Sequence, residues 1–302
     1  MPVSIAFFVV VLVWSTTPLG IVWSSESISP TLSLLMRMSI AATVGLLLMY
    51  SLNIKLNTSR RAFKVYCFSS ISLSVGMLFC YFAAQYISSG LMALSFGLTP
   101  ILSGLLAQRW LSETKFTKTK KMSLFIALTG LAIVCSENMV INDGAIYGFT
   151  FIFVGVVLFS LSSVLVKGVK IDLHPLSTTV GSLIVSLPVY LLAWLLLDGE
   201  VNYDQWQPRA VWSVIYMGIF ASLLGFLAYF YILQKLETST VALVTMLTPV
   251  VSMTLGILLN NERFSMTLLV GGVLIMIGLG VFQFGNRFFA KYNRTKNSNL
   301  GV

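Results

Sequence analysis

Ten apolar stretches, each close to the length of a bilayer-crossing helix, follow one another with little chain between them. They run Val3–Trp23, Thr31–Ser51, Val65–Ile87, Leu91–Leu111, Met122–Val140, Ile146–Val166, Leu176–Leu197, Val211–Leu233, Ser239–Leu259 and Ser265–Phe284. Roughly 20 apolar residues in a helix cross the hydrocarbon layer. The pattern therefore predicts an all-α polytopic membrane protein with ten transmembrane helices. The stretches are continuous rather than alternating, which argues against a transmembrane β-barrel. With 57% hydrophobic and 10% charged residues, no soluble fold of this size would keep its apolar surface from water.

The connections are too short for a second domain. Ser88-Ser89-Gly90 and residues 234–238 make the third and fourth stretches, and the eighth and ninth, antiparallel hairpins. The first stretch lacks a basic n-region and a small-x-small cleavage site, and reads as an uncleaved helix. Cys67, Cys80 and Cys135 fall in or beside apolar stretches and read as buried thiols packing like small hydrophobes. No disulfide framework or metal-ligand spacing is visible, and no cofactor is expected.

The net charge of +9 is a matter of topology. With the N-terminus in the cytoplasm, sixteen of the nineteen basic residues fall on the cytoplasmic side. Only Arg209 and Arg263 fall outside, and Arg37 lies within the second helix. Glu26, Glu137, Asp143, Asp198, Glu200, Asp204 and Glu262 face outward. This positive-inside bias puts both termini in the cytoplasm and removes nucleic acid as a partner. The basic segment Arg287–Lys296 reads as a frayed, solvated tail, with attraction to anionic lipid as the alternative.

The chain also repeats itself. At a shift of 149 residues, Gly76 matches Gly225 and Gln85 matches Gln234. Leu98-Thr99-Pro100 matches Leu247-Thr248-Pro249, Ser103 matches Ser252, and Glu113 matches Glu262. At a shift of 145, Ser15 meets Ser160 and Pro30 meets Pro175. Leu-Thr-Pro followed thirteen residues later by Glu, twice, does not come from Leu-rich composition alone. Each copy holds five helices, an odd number, so the second enters the membrane from the opposite side. The expected organisation is two inverted five-helix repeats, residues 1–144 and 145–286, followed by the tail 287–302. Such inverted repeats serve alternating access in many secondary carriers.

The doubled Pro…Glu element, Trp14-Ser15 in helix one, Pro30 with Arg37 in helix two, and Gly271, Gly272, Gly278 and Gly280 in the last helix occur in order on ten helices. In these features the chain resembles the drug/metabolite transporter superfamily, in its ten-helix EamA-type branch, over about residues 3–285. Ser15 stands where that family often has Gly. The resemblance implies a carrier of the bacterial inner membrane that exports amino acids or related metabolites.

The residues themselves suggest where a substrate would sit. Trp14-Ser15 and the counterpart Phe159-Ser160 lie mid-helix, away from the interfacial belts where Trp and Tyr usually gather. Tyr81 and Tyr229 are mid-helix on helices three and eight, while Ser95 and Thr245 supply hydroxyls from helices four and nine. Aromatic faces give contact area and hydroxyls give orientation; packing between helices is the bland alternative. Arg37 either meets an anionic group or snorkels to the interface or to backbone carbonyls. Pro100 and Pro249 are hinges or fixed bends inside helices. Glu113 and Glu262 end helices four and nine, where a carboxylate opposes the helix dipole, so each is expected to take a cationic partner, Arg109 and Arg263 being nearest. Helices five and ten are rich in small residues and favour close packing, with a homodimer surface as one use.

Apart from Arg37, no ionisable residue lies deep in an apolar stretch, so a coupling ion is not assigned. A membrane-embedded enzyme acting on lipid-linked substrates would need clustered Asp, Glu or His. A channel or receptor would leave the inverted repeat unexplained.

Overall fold

The structure, a computed structural model, describes residues 2–141, 144–236, 238–262 and 265–299. It gives the backbone alone for 137–141, 230, 233–234, 238–240, 242 and 286–299. Among the described residues, ten helices are long and apolar enough to span a membrane. They are α1 Val3–Ser24, α2 Pro30–Ser51, α3 Arg60–Ala83, α4 Ser89–Trp110, α5 Lys118–Ile141, α6 Ala145–Gly168, α7 Pro175–Leu197, α8 208–235, α9 Thr238–Asn260 and α10 Met266–Asn299.

Short polar side chains start several of them. Ser29, Ser59 and Ser88 accept backbone N–H groups at the heads of α2, α3 and α4, the ordinary N-cap device. His174 does the same for α7 through Nδ1. Ser29 and His174 each precede a proline, and proline is well placed in a first turn.

Hydropathy located the spans and missed some ends. α3 begins at Arg60, five residues before the apolar run, because its cap is Ser59 and because exposed Arg60, Arg61 and Lys64 keep their charges in water while helical. The backbone of α10 stays helical to Asn299, so the expected frayed tail continues the last span.

The lipid side is plain from the exposed apolar residues. Phe8, Leu12, Leu47, Phe125, Leu196 and Leu258 are each more than 60% exposed. In water such a surface would aggregate; in a bilayer it is solvated.

Inside, packing follows a pattern. α1 lies against α8 and α9, while α6 lies against α3 and α4. α2 lies against α3 and α8, while α7 lies against α8 and α3. α2 pairs with α7, α4 with α9, and α5 with α10. The last contact is between backbones. A Cβ on Gly130 would stand 2.6 Å from Gly271 O, and one on Gly278 would stand 2.8 Å from Ser123 O. These small residues of α5 and α10 thus close on each other within the chain.

Among the described residues, three helices depart from regular winding. α3 contains a π-helical turn over Ser72–Gly76, and α8 one over Met217–Leu224. α4 is interrupted at Gly97-Leu98, where Leu98 N–H turns back to Ser95 O, and Pro100 sits in the first turn of the segment that follows. Pro100 was expected inside a helix. Gly97, a weak helix former, and a proline lacking its N–H combine to break the helix there. Pro249, with Met246 at the position matching Gly97, lies inside an unbroken α9.

Candidate functional site

Aromatic rings from the two halves meet around Trp14 and around Phe159. The Trp14 ring of α1 stands 4.7 Å from Tyr229 and 5.9 Å from Phe226 of α8. The Phe159 ring of α6 stands 5.1 Å from Phe96 of α4, edge to face. Each ring also lies on a glycine at the end of a π turn, Gly76 being its last residue and Gly225 the first after it. A Cβ on Gly225 would stand 3.0 Å from Trp14 Nε1, and one on Gly76 would stand 3.1 Å from Phe159 Cδ2. At both places a planar ring rests close to where a side chain would start, and a larger residue would have to push that ring aside.

The hydroxyls beside those rings are engaged. Ser15 Oγ donates to Val11 O at 2.6 Å, and Ser160 Oγ donates to Val156 O at 2.8 Å. Both serines are fully buried. Bonds back to the i−4 carbonyl satisfy a polar group inside the membrane at no cost in partners. Ser95 Oγ likewise donates to Leu91 O at 2.9 Å. Ser95 also borders an apolar cavity of about 320 Å³ with Leu98, Phe149, Ile152, Phe153 and Val156. Thr245 is half-buried on α9.

The structure thus joins Trp14 with Tyr229. It seats Phe159 against Phe96, which the sequence reading did not single out. Phe96 was in principle findable, because it matches Thr245 at the 149-residue shift.

Arg37 does not snorkel. It is 1% exposed, among the largest fully buried side chains. Its Nε donates to Ser222 Oγ of α8 at 2.9 Å, and Nη1 reaches Met77 Sδ of α3 at 4.0 Å. Ser222 lies inside the π turn of α8. The matching residue of α3, Leu73, lies inside the other π turn, and its carbonyl accepts the Tyr190 hydroxyl of α7. Each π turn is therefore met by a polar group from α2 or α7.

The two repeated glutamates close their helices identically and are then used differently. Ser112 and Asn261, just before them, have φ of 53° and 50°. Glu113 N–H donates to Ala107 O, and Glu262 N–H donates to Gly256 O. This is a left-handed C-cap. The Glu113 carboxylate then pairs with Lys167 Nζ of α6 at 2.7 Å, in place of Arg109 one turn before it. The Glu262 carboxylate accepts the N–H groups of Ser89 and Gly90 at 3.0 and 3.2 Å, at the head of α4. It also accepts from Asn260 Nδ2, and Asn260 Oδ1 accepts from Trp23 Nε1 of α1 at 2.8 Å. A carboxylate on a helix N-terminus meets both orphan donors and the positive end of the dipole. Arg263, the expected partner, lies outside the described residues.

Comparison with known proteins agrees with this architecture. The sequence pattern of the EamA-like transporter family matches residues 1–136 and 146–283. An uncharacterized transporter of Archaeoglobus fulgidus is 27% identical over 220 residues, covering 72% of this chain and 75% of that protein. The uncharacterized transporter YoaV of Bacillus subtilis is 23% identical over 289 residues, covering 94% and 98%. A probable amino-acid metabolite efflux pump of Escherichia coli is 27% identical over 175 residues, covering 54% and 57%. One solved crystal structure superposes with a TM-score of 0.68 at 17% identity, covering 95% of this chain and 98% of that one, a likeness of fold alone. With that pattern matched across both halves of a ten-span bundle, the chain belongs to the EamA-like transporter family and is a membrane transporter of small molecules.

Proposed function

We propose that the protein exports small metabolites, amino acids and related compounds foremost, across a bacterial inner membrane by alternating access between two inverted five-helix halves, residues 1–144 and 145–286. The observation that carries this reading is the exchange of packing partners. Replacing each helix by the one five later turns the contacts of α1 with α8 and α9 into those of α6 with α3 and α4. It turns the contacts of α2 with α3 and α8 into those of α7 with α8 and α3. Paired π turns, paired glycine-on-ring contacts and paired left-handed C-caps support the same relation, as does a family pattern matching each half separately.

Five spans per half invert the second copy, and two similar halves rocking about a shared centre expose it to each side in turn. Trp14 with Tyr229, and Phe159 with Phe96, flank that centre. Ser15, Ser95, Ser160, Thr245 and Tyr81 border it, and Pro100 and Pro249 shape its walls. Glu262 holds the outer end and Glu113 the inner end. Both termini, and the basic segment 287–302, are cytoplasmic. Export of amino-acid metabolites draws on the names of the Escherichia coli relative and of a Salmonella typhimurium relative called a probable amino-acid metabolite efflux pump, 32% identical over 116 residues. The family and these relatives favour a carrier over an enzyme acting on lipid-linked substrates.

Purified protein in liposomes, loaded with a panel of radiolabelled amino acids, tests the reading. Counterflow of at least one member is expected, and Trp14→Ala and Tyr229→Phe are expected to lower its rate or shift preference at equal amounts of folded protein. Parent-like transport by both variants would remove the site assignment. In a background without native cysteines, an impermeant reagent applied to whole cells should label Glu262→Cys and leave Glu113→Cys unlabelled. Equal labelling would remove the inverted arrangement.

A further inference from the structure

Among the described residues, one positive charge is enclosed in the bundle without a negative partner. Among the described residues Arg37 is the only charged side chain that is fully buried, and neither ion pair involves it. Its two contacts, a serine hydroxyl and a thioether, are neutral. A guanidinium has five donors in a planar fork, and one hydroxyl with one weak sulfur acceptor leaves most of that capacity uncompensated at membrane depth. A second polar group is close by. Tyr81 is fully buried and its hydroxyl has no hydrogen-bond partner among the described residues. Tyr81 stands one turn beyond Met77, the thioether that Arg37 touches, on the same face of α3.

We propose that Arg37, with the Tyr81 and Ser222 hydroxyls, forms the subsite that receives the carboxylate of the transported molecule. This rests on the carrier reading above and names the part of the substrate that is recognised. The fork of Arg37 matches a carboxylate in two parallel hydrogen bonds. The Tyr81 hydroxyl can donate to the same oxygens, and the Ser222 hydroxyl can join it by turning away from Met38 Sδ, the weak sulfur acceptor it now holds at 3.7 Å. Charge number favours carboxylate over phosphate. One enclosed cation neutralises one negative charge, whereas a phosphate monoester carries nearly two at neutral pH. Location fits as well. Met77 directly follows one π turn and Ser222 lies inside the other, and π turns in helices are frequent at functional sites. The subsite thus straddles the irregular segments of both halves.

Paired competitors test this without any variant. In the counterflow assay, each transported amino acid is challenged with its unlabelled form and with its carboxamide, which keeps the ammonium and side chain and loses the negative charge. The acid should compete at least roughly tenfold better, the loss of one charge-assisted hydrogen bond. Equal competition overturns the subsite and leaves the carrier reading standing. Binding is measured separately, as the ligand-induced rise in unfolding temperature of detergent-purified protein with the same acid and amide pairs, and with L-serine against O-phospho-L-serine. A rise with acids that is absent with amides, lost in Arg37→Gln and partly kept in Arg37→Lys supports the subsite even if no transport is found. No acid-selective rise, or a rise favouring the phosphate ester, overturns it. Should Arg37→Gln fail to fold, the acid-against-amide difference in the parent decides.

Discussion

Glu113 and Glu262 end the same sequence element and the same left-handed cap, yet they hold the two ends of the bundle by different physics. Glu262 is half-buried and draws on two backbone N–H groups of α4, on Asn260 and, through it, on Trp23. Glu113 makes an exposed pair with Lys167, their side chains 42% and 67% accessible. The first arrangement is multidentate and sheltered. The second is one ion pair in water, a kind that contributes about 0–1 kcal/mol and weakens with salt. A duplicated element therefore has diverged in what it grips while keeping how it ends.

The largest effect should come from Glu262→Ala, which leaves the Ser89 and Gly90 N–H groups without their acceptor. A loss of about 1–3 kcal/mol is expected, read as a lower unfolding temperature of the purified protein; Glu262→Gln should recover part of it. A parent-like midpoint for Glu262→Ala would reduce the two ends to equals. Trp23→Phe comes next. It keeps an aromatic ring and removes the hydrogen bond to Asn260, for about 1 kcal/mol, and it should add little to Glu262→Ala because both act through one network. Full additivity in that double variant would separate Trp23 from the glutamate. Glu113→Ala should be smallest, at most about 1 kcal/mol, and its difference from the parent should shrink in about 0.5 M salt. A salt-insensitive loss as large as that of Glu262→Ala would invert the comparison.

The ten spans and their order were legible because each is a continuous apolar run in a solvent that permits little else. Those runs carry no sign of winding. The π turns over Ser72–Gly76 and Met217–Leu224 look like any apolar helix in sequence, and the break at Gly97-Leu98 depends on glycine and proline acting together. Local arithmetic also chose the wrong partner for Glu113. Arg109 is one turn away in sequence, but Lys167, 54 residues on, is brought closer by the packing of α6 on α4. Trp14 and Tyr229 were singled out separately, and only the tertiary fold puts their rings together. The depth of Arg37 was readable, whereas its neutral company was not, since Ser222 and Met77 come from helices far along the chain.

The contact of α5 with α10 has a consequence for how much that surface can vary. A methyl group added at Gly271 would land 2.3 Å from Val134 Cγ2, and one at Gly130 would land 2.6 Å from Gly271 O. Two bare backbones lying against each other have almost no rotamers to freeze, so their association loses little entropy when it forms. It also gains dispersion where lipid offers no hydrophobic push between helices. Tolerance at this seam is accordingly set by volume and hardly at all by polarity. Serine should be rejected there as firmly as alanine, on a pair of helices whose opposite faces accept any apolar residue that the lipid will wet.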